Sequence, residues 1–570
     1  MLERSWSVNR GQYACSRKRT RKDWIPLAQH GVHVPKYPAL TSLGGRPEQA
    51  YRPDCRQGWK IETDPLPVFE SGTPPVSTYT FKHALIQDAA YESLLRKTRQ
   101  EFHNKIAVAL IQRFPELAET KPELLARHYE GAGRIAESTA GWMKAGLQAQ
   151  QRFALRECVA YLQKTIALLE TLPDDDAQRL RSEMEAQLAL SHALTATFGW
   201  ASRELEAACI RARDLCKRLE NGPGLMQALL TLSGMYFLRG NHRESVQVAD
   251  AVLDVTLPTN NPLLEIEARH AISFPTYFLG DFVGTREHAE KGLALYTPER
   301  ERAVVATFHV PSSFACAHIL SLSLWFLGYP DQARKTHRDA WVIADTLNIN
   351  ACTAYALGCT LDYHYLFRDH AAIAPIAERA HKLSIEEGYL FWVAQTRIFL
   401  GWVQAMTGMP QAGIQEMKAG LESYRATGSG LLAPEFCMMM GEAQLQAGRV
   451  EEALESFAGG LRHSAENGER LHEAELHRLT GEIHLMRGDG AAGEAGLRAA
   501  IEIAQAQKAR MPELRASLAL ARIRRREGRT QDLRALLEPL DAWFQGGRDT
   551  AELRELRALL TPKMTGATPD

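Results

Sequence analysis

FLGDF, residues 278–282, closes one apolar run and opens another across Gly280, and the same joint recurs down the chain. It reads FLRGN at Gly240, FLGYP at Gly328, LFRDH with Arg368 in the glycine slot, MTGMP at Gly408, QAGRV at Gly448, MRGDG at Gly488 and REGRT at Gly528. Successive joints lie 40, 48, 40, 40, 40, 40 and 40 residues apart, a register that marks an internal repeat. The chemistry of each joint is that of a helix stop followed by a helix start. Gly takes the left-handed backbone that a Cβ disfavours, and a charged or polar residue opens the next helix. Arg368 carries a Cβ, so its turn is expected to be built differently.

The segments between joints read as paired amphipathic helices. In EEALESFAGGLRHSAENG, from Glu451, the residues Ala453, Phe457, Gly460 and Leu461 fall at helical spacing on one face, and the small ones let a neighbouring helix approach closely. Partner helices precede the joints, as in LFWVAQTRIFLGWVQAMTG (390–408) and LHEAELHRLTGEIHLMRG (471–488). Such a pair cannot bury its apolar faces alone, but stacked on like neighbours it builds a continuous core. The pattern predicts an all-α fold: a right-handed superhelical solenoid with a period of 40 residues in most steps, and about ten hairpins between residues 132 and 545. It resembles tetratricopeptide repeats of the long variety, and continues less regularly upstream through 136–170 and 177–220.

The chain has 570 residues, too many for one core. Its 67 Lys and Arg against 68 acids supply no global field to steer it onto nucleic acid or an anionic membrane, and neither is expected as a partner. Nine cysteines without a CxxC pair fit a reducing, cytoplasmic setting better than a disulfide framework or a zinc cage. FACAHILSLSLWFLGY (314–329) is broken by His318 and falls short of the ~20 residues of a spanning helix, so it reads as a buried helix. No secretory signal pattern opens the chain.

GTPPVSTYTFKHALIQDAAYESLL (72–95), with RQEFHNKIA (99–107) and PELLARHYEGAG (122–133), resembles the join in large bacterial proteins where a class III adenylate/guanylate cyclase and a STAND-type ATPase precede a tetratricopeptide tail. Later stretches such as ERLHEAELHRLTGEIHL at 469 and MPELRASLALARI at 511 resemble the same tail. Related joins occur in maltose-regulator-like transcription activators. The resemblance implies a winged-helix remnant over 67–131, a solenoid over 132–560 and a flexible tail over 561–570. It also implies a phosphate-sensing role for His83, against the plainer reading that His83 and Tyr91 pack and hydrogen-bond at the start of the first helix. The chain holds no GxxxxGK[ST] loop to cradle phosphate and no cyclase fold, so no catalysis and no cofactor are expected, with ATP confined to the parent architecture. Residues 1–66 lack periodicity and read as a non-native leader, a disordered basic arm, or a nucleic-acid element built on SRKRTRK (16–22).

The expected function is a non-catalytic interaction scaffold, the sensor tail of a cyclase/ATPase signalling protein. The alternatives are a regulatory subunit of a separately encoded cyclase or ATPase, and a transcription regulator. A protein or peptide ligand is expected in the concave groove, with Trp325, Tyr329, Tyr363, Tyr365, Trp392 and Trp402 as candidate anchors, each of which also suits a core position. Three further patterns invite functional readings. HEAELH (472–477) spaces its histidines five apart rather than the four of HExxH, and reads as solvated helix positions. The Cys209/Cys216 and Cys352/Cys359 pairs read as small core residues. ARIRRREGR (521–529) reads as cations at a helix C-terminus, where they complement the dipole.

Overall fold

A computed structural model describes residues 68–71, 78–81, 89, 91–198, 202–544 and 550–561. The chain divides into two compact units, Met1–Arg134 and Ile135–Asp570. In the first, the strands Val68–Ser71 and Thr78–Phe81 pair antiparallel, Val68 opposite Phe81. Three helices follow, Arg96–Arg113, Pro115–Thr120 and Pro122–Gly131, the last two each started by a proline whose missing N–H costs nothing there.

The second unit is a tetratricopeptide-like solenoid of ten helical hairpins, from Ile135–Gln151 with Leu155–Leu169 to Arg510–Arg526 with Thr530–Trp543, closed by the helix Ala551–Leu560. At every described joint the slot residue has positive φ, from +72° to +100° at the seven glycines. Two backbone bonds close six of the seven glycine turns, as in Gly328 N–H to Trp325 O (3.0 Å) and Tyr329 N–H to Leu324 O (2.8 Å), and at Gly408 the second, Met409 N–H to Gln404 O (2.9 Å), is kept. Asp281 and Asp489 then cap the next helix through their side chains, while Tyr329 and Met409 precede a proline that starts it.

Arg368 departs from the expectation of a different turn. It sits at φ +56° and makes the same two bonds, Arg368 N–H to Tyr365 O (3.0 Å) and Asp369 N–H to His364 O (2.9 Å). A side chain is held in a glycine conformation, and the reason lies in what its guanidinium reaches.

Hairpins pack most closely where glycines face each other. A methyl on Gly413 would stand 2.3 Å from Gly401 O, so the helices Leu390–Met406 and Pro410–Ala426 touch backbone to backbone. The single 48-residue step is explained by an added helix, Pro298–Phe308, which ends at left-handed His309 and bends 104° from Ser312–Phe326. All fifteen residues of Ser312–Phe326 are buried, matching the reading of that apolar run. No described single helix is long and apolar enough to cross a membrane.

The helices that precede the joints form the inner wall, and the superhelix winds so tightly that one turn rests on the next. Gly430 N–H donates to Leu238 O (2.9 Å) and Arg470 N–H to Phe278 O (2.8 Å), both pairs 192 residues apart. Farther along, the Arg515 guanidinium donates to Leu366 O at 2.9 Å. One apolar cluster runs through both turns, from Tyr277 and Phe326 to Met511 and Leu553.

Candidate functional site

Turn-on-turn packing decides what the bore can do. Third before the joints stand Phe237, Tyr277, Trp325 and Tyr365, an aromatic in each of the first four, followed by Ala405, Leu445, Leu485 and Arg525 in the last four. The aromatic series belongs to the joints that the second turn covers: Trp325 lies 4.8 Å from the Arg515 guanidinium and Tyr365 bonds to Glu442, while Phe237 stays half-buried against Phe274 and Phe278. Trp325, Tyr365 and Trp402 are buried to 2 % exposure or less, and Tyr363 is buried beneath a stacked His337 ring at 3.7 Å. None of these four proposed anchors fronts an open groove. Tyr329 is half-buried between the Arg286 guanidinium and the Trp543 ring, and Trp392 is half-buried over Gly358, where a Cβ would strike its ring at 2.3 Å. Between the turns, beside Trp325, Tyr365, Arg368, His472, Glu475 and Arg515, lies a void of about 10 Å³, room for about one water.

Around that void lies a charge network that sequence periodicity did not reveal. Arg368 pairs with Glu442 (2.7 Å) and Glu475 (3.4 Å) and lies 4.8 Å from the centre of the Tyr365 ring. Glu442 also accepts from Tyr365 Oη (3.2 Å) and Trp402 Nε1 (2.9 Å). Glu475 is gripped by Arg478 (2.8 Å) and Arg515 (3.6 Å), and Arg515 continues to Glu552 (2.8 Å). Burial alone would raise the Glu475 pKa, but Arg478, Arg515 and Arg368 together hold it well below the carboxylate range. The guanidiniums of Arg368 and Arg478, despite their burial, stay charged because these carboxylates surround them. The one signal available in sequence was Arg368 in a glycine slot.

Two buried His–Glu pairs sit deeper. His472 Nε2 lies 2.8 Å from Glu435 Oε2, both about 3 % exposed, and His242 Nε2 lies 3.4 Å from Glu469 Oε2, both fully buried. Burial, with Glu469 nearby, pushes the Glu435 carboxyl up to about 8, and burial pushes His472 down to about 4. At neutral pH the Glu435–His472 pair is therefore an uncharged acid donating to an imidazole. This corrects the reading of His472 as a solvated position: it precedes the helix Glu473–Met486 and faces the core. No group of three or more His, Cys, Asp or Glu among the described residues is arranged to hold a metal ion.

Seven described cysteines are free thiols, six of them buried, and burial pushes Cys209 up to about 12 and Cys352 to about 11. In ARIRRREGR, Arg524 is buried against Glu494 and Glu527, Arg522 pairs with Glu555 (2.7 Å) and Arg529 with Asp532, so three of its cations are already engaged. His83 lies outside the described residues. Its neighbour in the sequence reading, Tyr91, meets His103 Nε2 at 3.0 Å, and His103 Nδ1 meets His128 Nδ1 at 3.0 Å, tying the helices of the first unit.

Two other places keep partly accessible side chains together. On the helices Gly222–Leu238 and Pro262–Phe278, Phe237, His270 and Phe274 are half-buried, edge-to-face at 5.8 Å for the two phenylalanines and 5.3 Å for His270 and Phe274. Between the outer helices Pro330–Asp345 and His370–Glu387, a cleft of about 480 Å³ is lined by His337, Trp341, Thr360, His364, Pro375 and Arg379.

No family model matches the chain. "Uncharacterized protein R02095" of Rhizobium meliloti (strain 1021) is 26 % identical over 453 residues, which are 76 % of this chain and 42 % of that protein, so the chain spans less than half of the relative's length. Among solved structures, similarity extends to a Rap protein complexed with competence and sporulation factor (12 % identity, 65 % of this chain and 98 % of that one, TM-score 0.47). It extends also to a STAND protein with a tetratricopeptide repeat sensor from Pyrococcus horikoshii (13 %, 77 % and 74 %, 0.33) and to yeast Tom70 (10 %, 80 % and 96 %, 0.30). At these scores the likenesses carry nothing about what this chain binds.

Proposed function

We propose that the chain is a non-catalytic, tetratricopeptide-type protein-interaction scaffold that serves as the sensor or regulatory part of a cyclase/ATPase signalling protein. The observation that carries the scaffold reading is a ten-hairpin solenoid whose turns rest on one another and bury most of its aromatics, leaving the half-buried Phe237, His270 and Phe274 as an apolar surface that a partner segment would cover. Half-buried aromatics held by a rigid wall lose little conformational freedom on contact, which suits them to act as anchors. The signalling context rests on the FKHALIQDAAYESLL block and its neighbours, whose resemblance is to the join behind a nucleotide-driven module.

Cross-linking and mass spectrometry in the native cells tests both parts. The reading expects links from residues 91–131 to a cyclase or ATPase sequence, in the same polypeptide or a separate one. It also expects Phe274→Glu to remove a discrete set of links from the solenoid while the helical spectrum is unchanged. Links to neither class of sequence, or salt-sensitive duplex DNA binding that survives removal of residues 1–66, would replace it with the transcription-regulator reading.

A further inference from the structure

Each helix that follows a joint packs through one residue at a fixed place, nine positions past the joint. That column reads Ala249, Ala289, His337, Ala377, Met417, Phe457, Leu497 and Leu537, and every member is buried. Only His337 is polar. A buried polar group without a hydrogen bond is disfavoured, so an imidazole in an apolar column calls for a reason. His337 is 7 % exposed, its ring stacks on Tyr363 at 3.7 Å, and its Nδ1 is buried with no hydrogen-bond partner among the described residues. The His364 ring stands edge-on to it at 5.9 Å and does not supply one.

His337 lines the cleft of about 480 Å³ between Pro330–Asp345 and His370–Glu387, to which Asn350–Leu366 contributes Leu357, Thr360 and His364. That volume falls in the range of about 300–1,000 Å³ typical of small-ligand sites. Trp341, Leu357 and Ile376 make much of the wall apolar. The Trp341 Nε1–H donates to Thr360 Oγ1 (3.1 Å), which donates in turn to Ala356 O (2.8 Å), so both are already partnered. Burial, with His364 and Arg338 nearby, pushes the His337 imidazole down to about 3, and burial lowers His364 as well. Both rings are therefore neutral at pH 7, each with one N–H and one bare nitrogen. Asp369, the carboxylate beside His364 (3.3 Å), also accepts from Ala372 N–H (3.3 Å) as a helix cap. Arg379 is the one formal charge among the lining residues. It is exposed and has no carboxylate within ion-pair distance among the described residues.

From a ligand-sized apolar cleft, a guanidinium without a counter-ion and a buried imidazole without a partner, we propose that this cleft binds a small organic acid. Its carboxylate pairs with Arg379, one of its oxygens accepts from the His337 imidazole, and its aliphatic or aromatic body lies against Trp341, Leu357 and Ile376. The site stands on other helices than the Phe237–Phe274 surface, so it adds a small-molecule ligand to the scaffold reading and does not depend on it.

Isothermal titration of the full chain with phenylacetate, hexanoate and the uncharged phenylacetamide tests it. The expected result is saturable binding of at least one acid at one site, with phenylacetamide about tenfold or more weaker than phenylacetate. Arg379→Gln changes an exposed side chain, so the fold is retained, and it should bring phenylacetate down to the affinity of phenylacetamide. His337→Leu gives the column its ordinary kind of residue, and should weaken phenylacetate about tenfold while the melting temperature holds or rises. A purely structural histidine would move the melting temperature and leave binding alone. The proposal is overturned if neither acid binds saturably at millimolar concentration, if phenylacetate and phenylacetamide bind equally, or if phenylacetate binding is indifferent to both substitutions.

Discussion

Replacing Arg368 with glycine pits backbone strain against buried charge. At φ +56° a residue with a Cβ pays about 1–2 kcal/mol that glycine does not. Removing one partner of a buried ion pair costs about 3–5 kcal/mol, but the network softens this loss. Glu475 keeps Arg478 and Arg515, Glu442 keeps its bonds from Tyr365 and Trp402, and the Arg368 side chain is 27 % exposed, so the lower end of that range applies. The expected net effect of Arg368→Gly is a loss of about 1–2 kcal/mol. Arg368→Ala loses the same charge and keeps the strain, and should cost about 1 kcal/mol more. Adding Glu442→Gln to Arg368→Gly removes the carboxylate left without its cation while preserving an acceptor for Tyr365 and Trp402, and should recover part of the loss. Urea unfolding followed by circular dichroism gives the order wild type, glycine variant, alanine variant. A glycine variant at least as stable as wild type would show that the guanidinium does not hold the turn, and equal glycine and alanine variants would show that the left-handed backbone carries no strain.

Two other perturbations follow from the same packing. Gly413→Ala would drive a methyl to 2.3 Å from Gly401 O and 2.7 Å from Ala405 N, backbone atoms that cannot step aside, and is expected to cost about 1–3 kcal/mol or more in a thermal melt; a change under a few tenths would refute the close approach. The Glu435–His472 pair sets a pH dependence of definite sign. The folded-state carboxyl pKa is raised, to about 8, so the unfolded chain loses that proton first and stability falls as pH rises from the ordinary carboxylate range towards 8. The imidazole pKa is lowered, to about 4, so its contribution falls in the other direction, as pH drops below its ordinary value of 6.5. The two trends oppose each other below 6.5, and above it the carboxyl acts alone. Glu435→Gln should therefore flatten the decline of stability between pH 6.5 and 8, and an unaltered slope would place the proton elsewhere.

Much of the fold was legible because the joints obey local rules. The glycine slots at 240, 280, 328, 408, 448, 488 and 528 announce left-handed turns, and all seven adopt them. What local rules do not carry is curvature. Whether a solenoid stays open or closes on itself depends on small rotations between hairpins, set by contacts such as Gly401 against Gly413, which leave no periodic trace distinct from ordinary core patterning. For that reason the aromatics at Trp325, Tyr365 and Trp402 looked equally suited to a groove and to a core. The disappearance of the aromatic three residues before the joint, after Tyr365, was in the sequence, but its meaning required knowing that the second turn covers only the earlier joints. The acids of the network, Glu442 and Glu475, lie 74 and 107 residues from Arg368 and pair with it only because the superhelix brings successive hairpins round its axis. His472 was read as solvated because HEAELH is polar in composition. Its burial comes from Glu435 on a neighbouring hairpin, a partner no local window contains.

The central claim is that the solenoid closes turn upon turn, and two amide protons report on it directly. The amides of Gly430 and Arg470 lie in loops between helices and would exchange with solvent quickly in an open superhelix. Here each is bonded to a carbonyl 192 residues earlier, Leu238 and Phe278. Native-state hydrogen exchange on the full chain should find both protected to the level of the inner-wall helices. Rapid exchange of both, at the rate of loop amides that carry no bond, would show that the turns do not rest on one another.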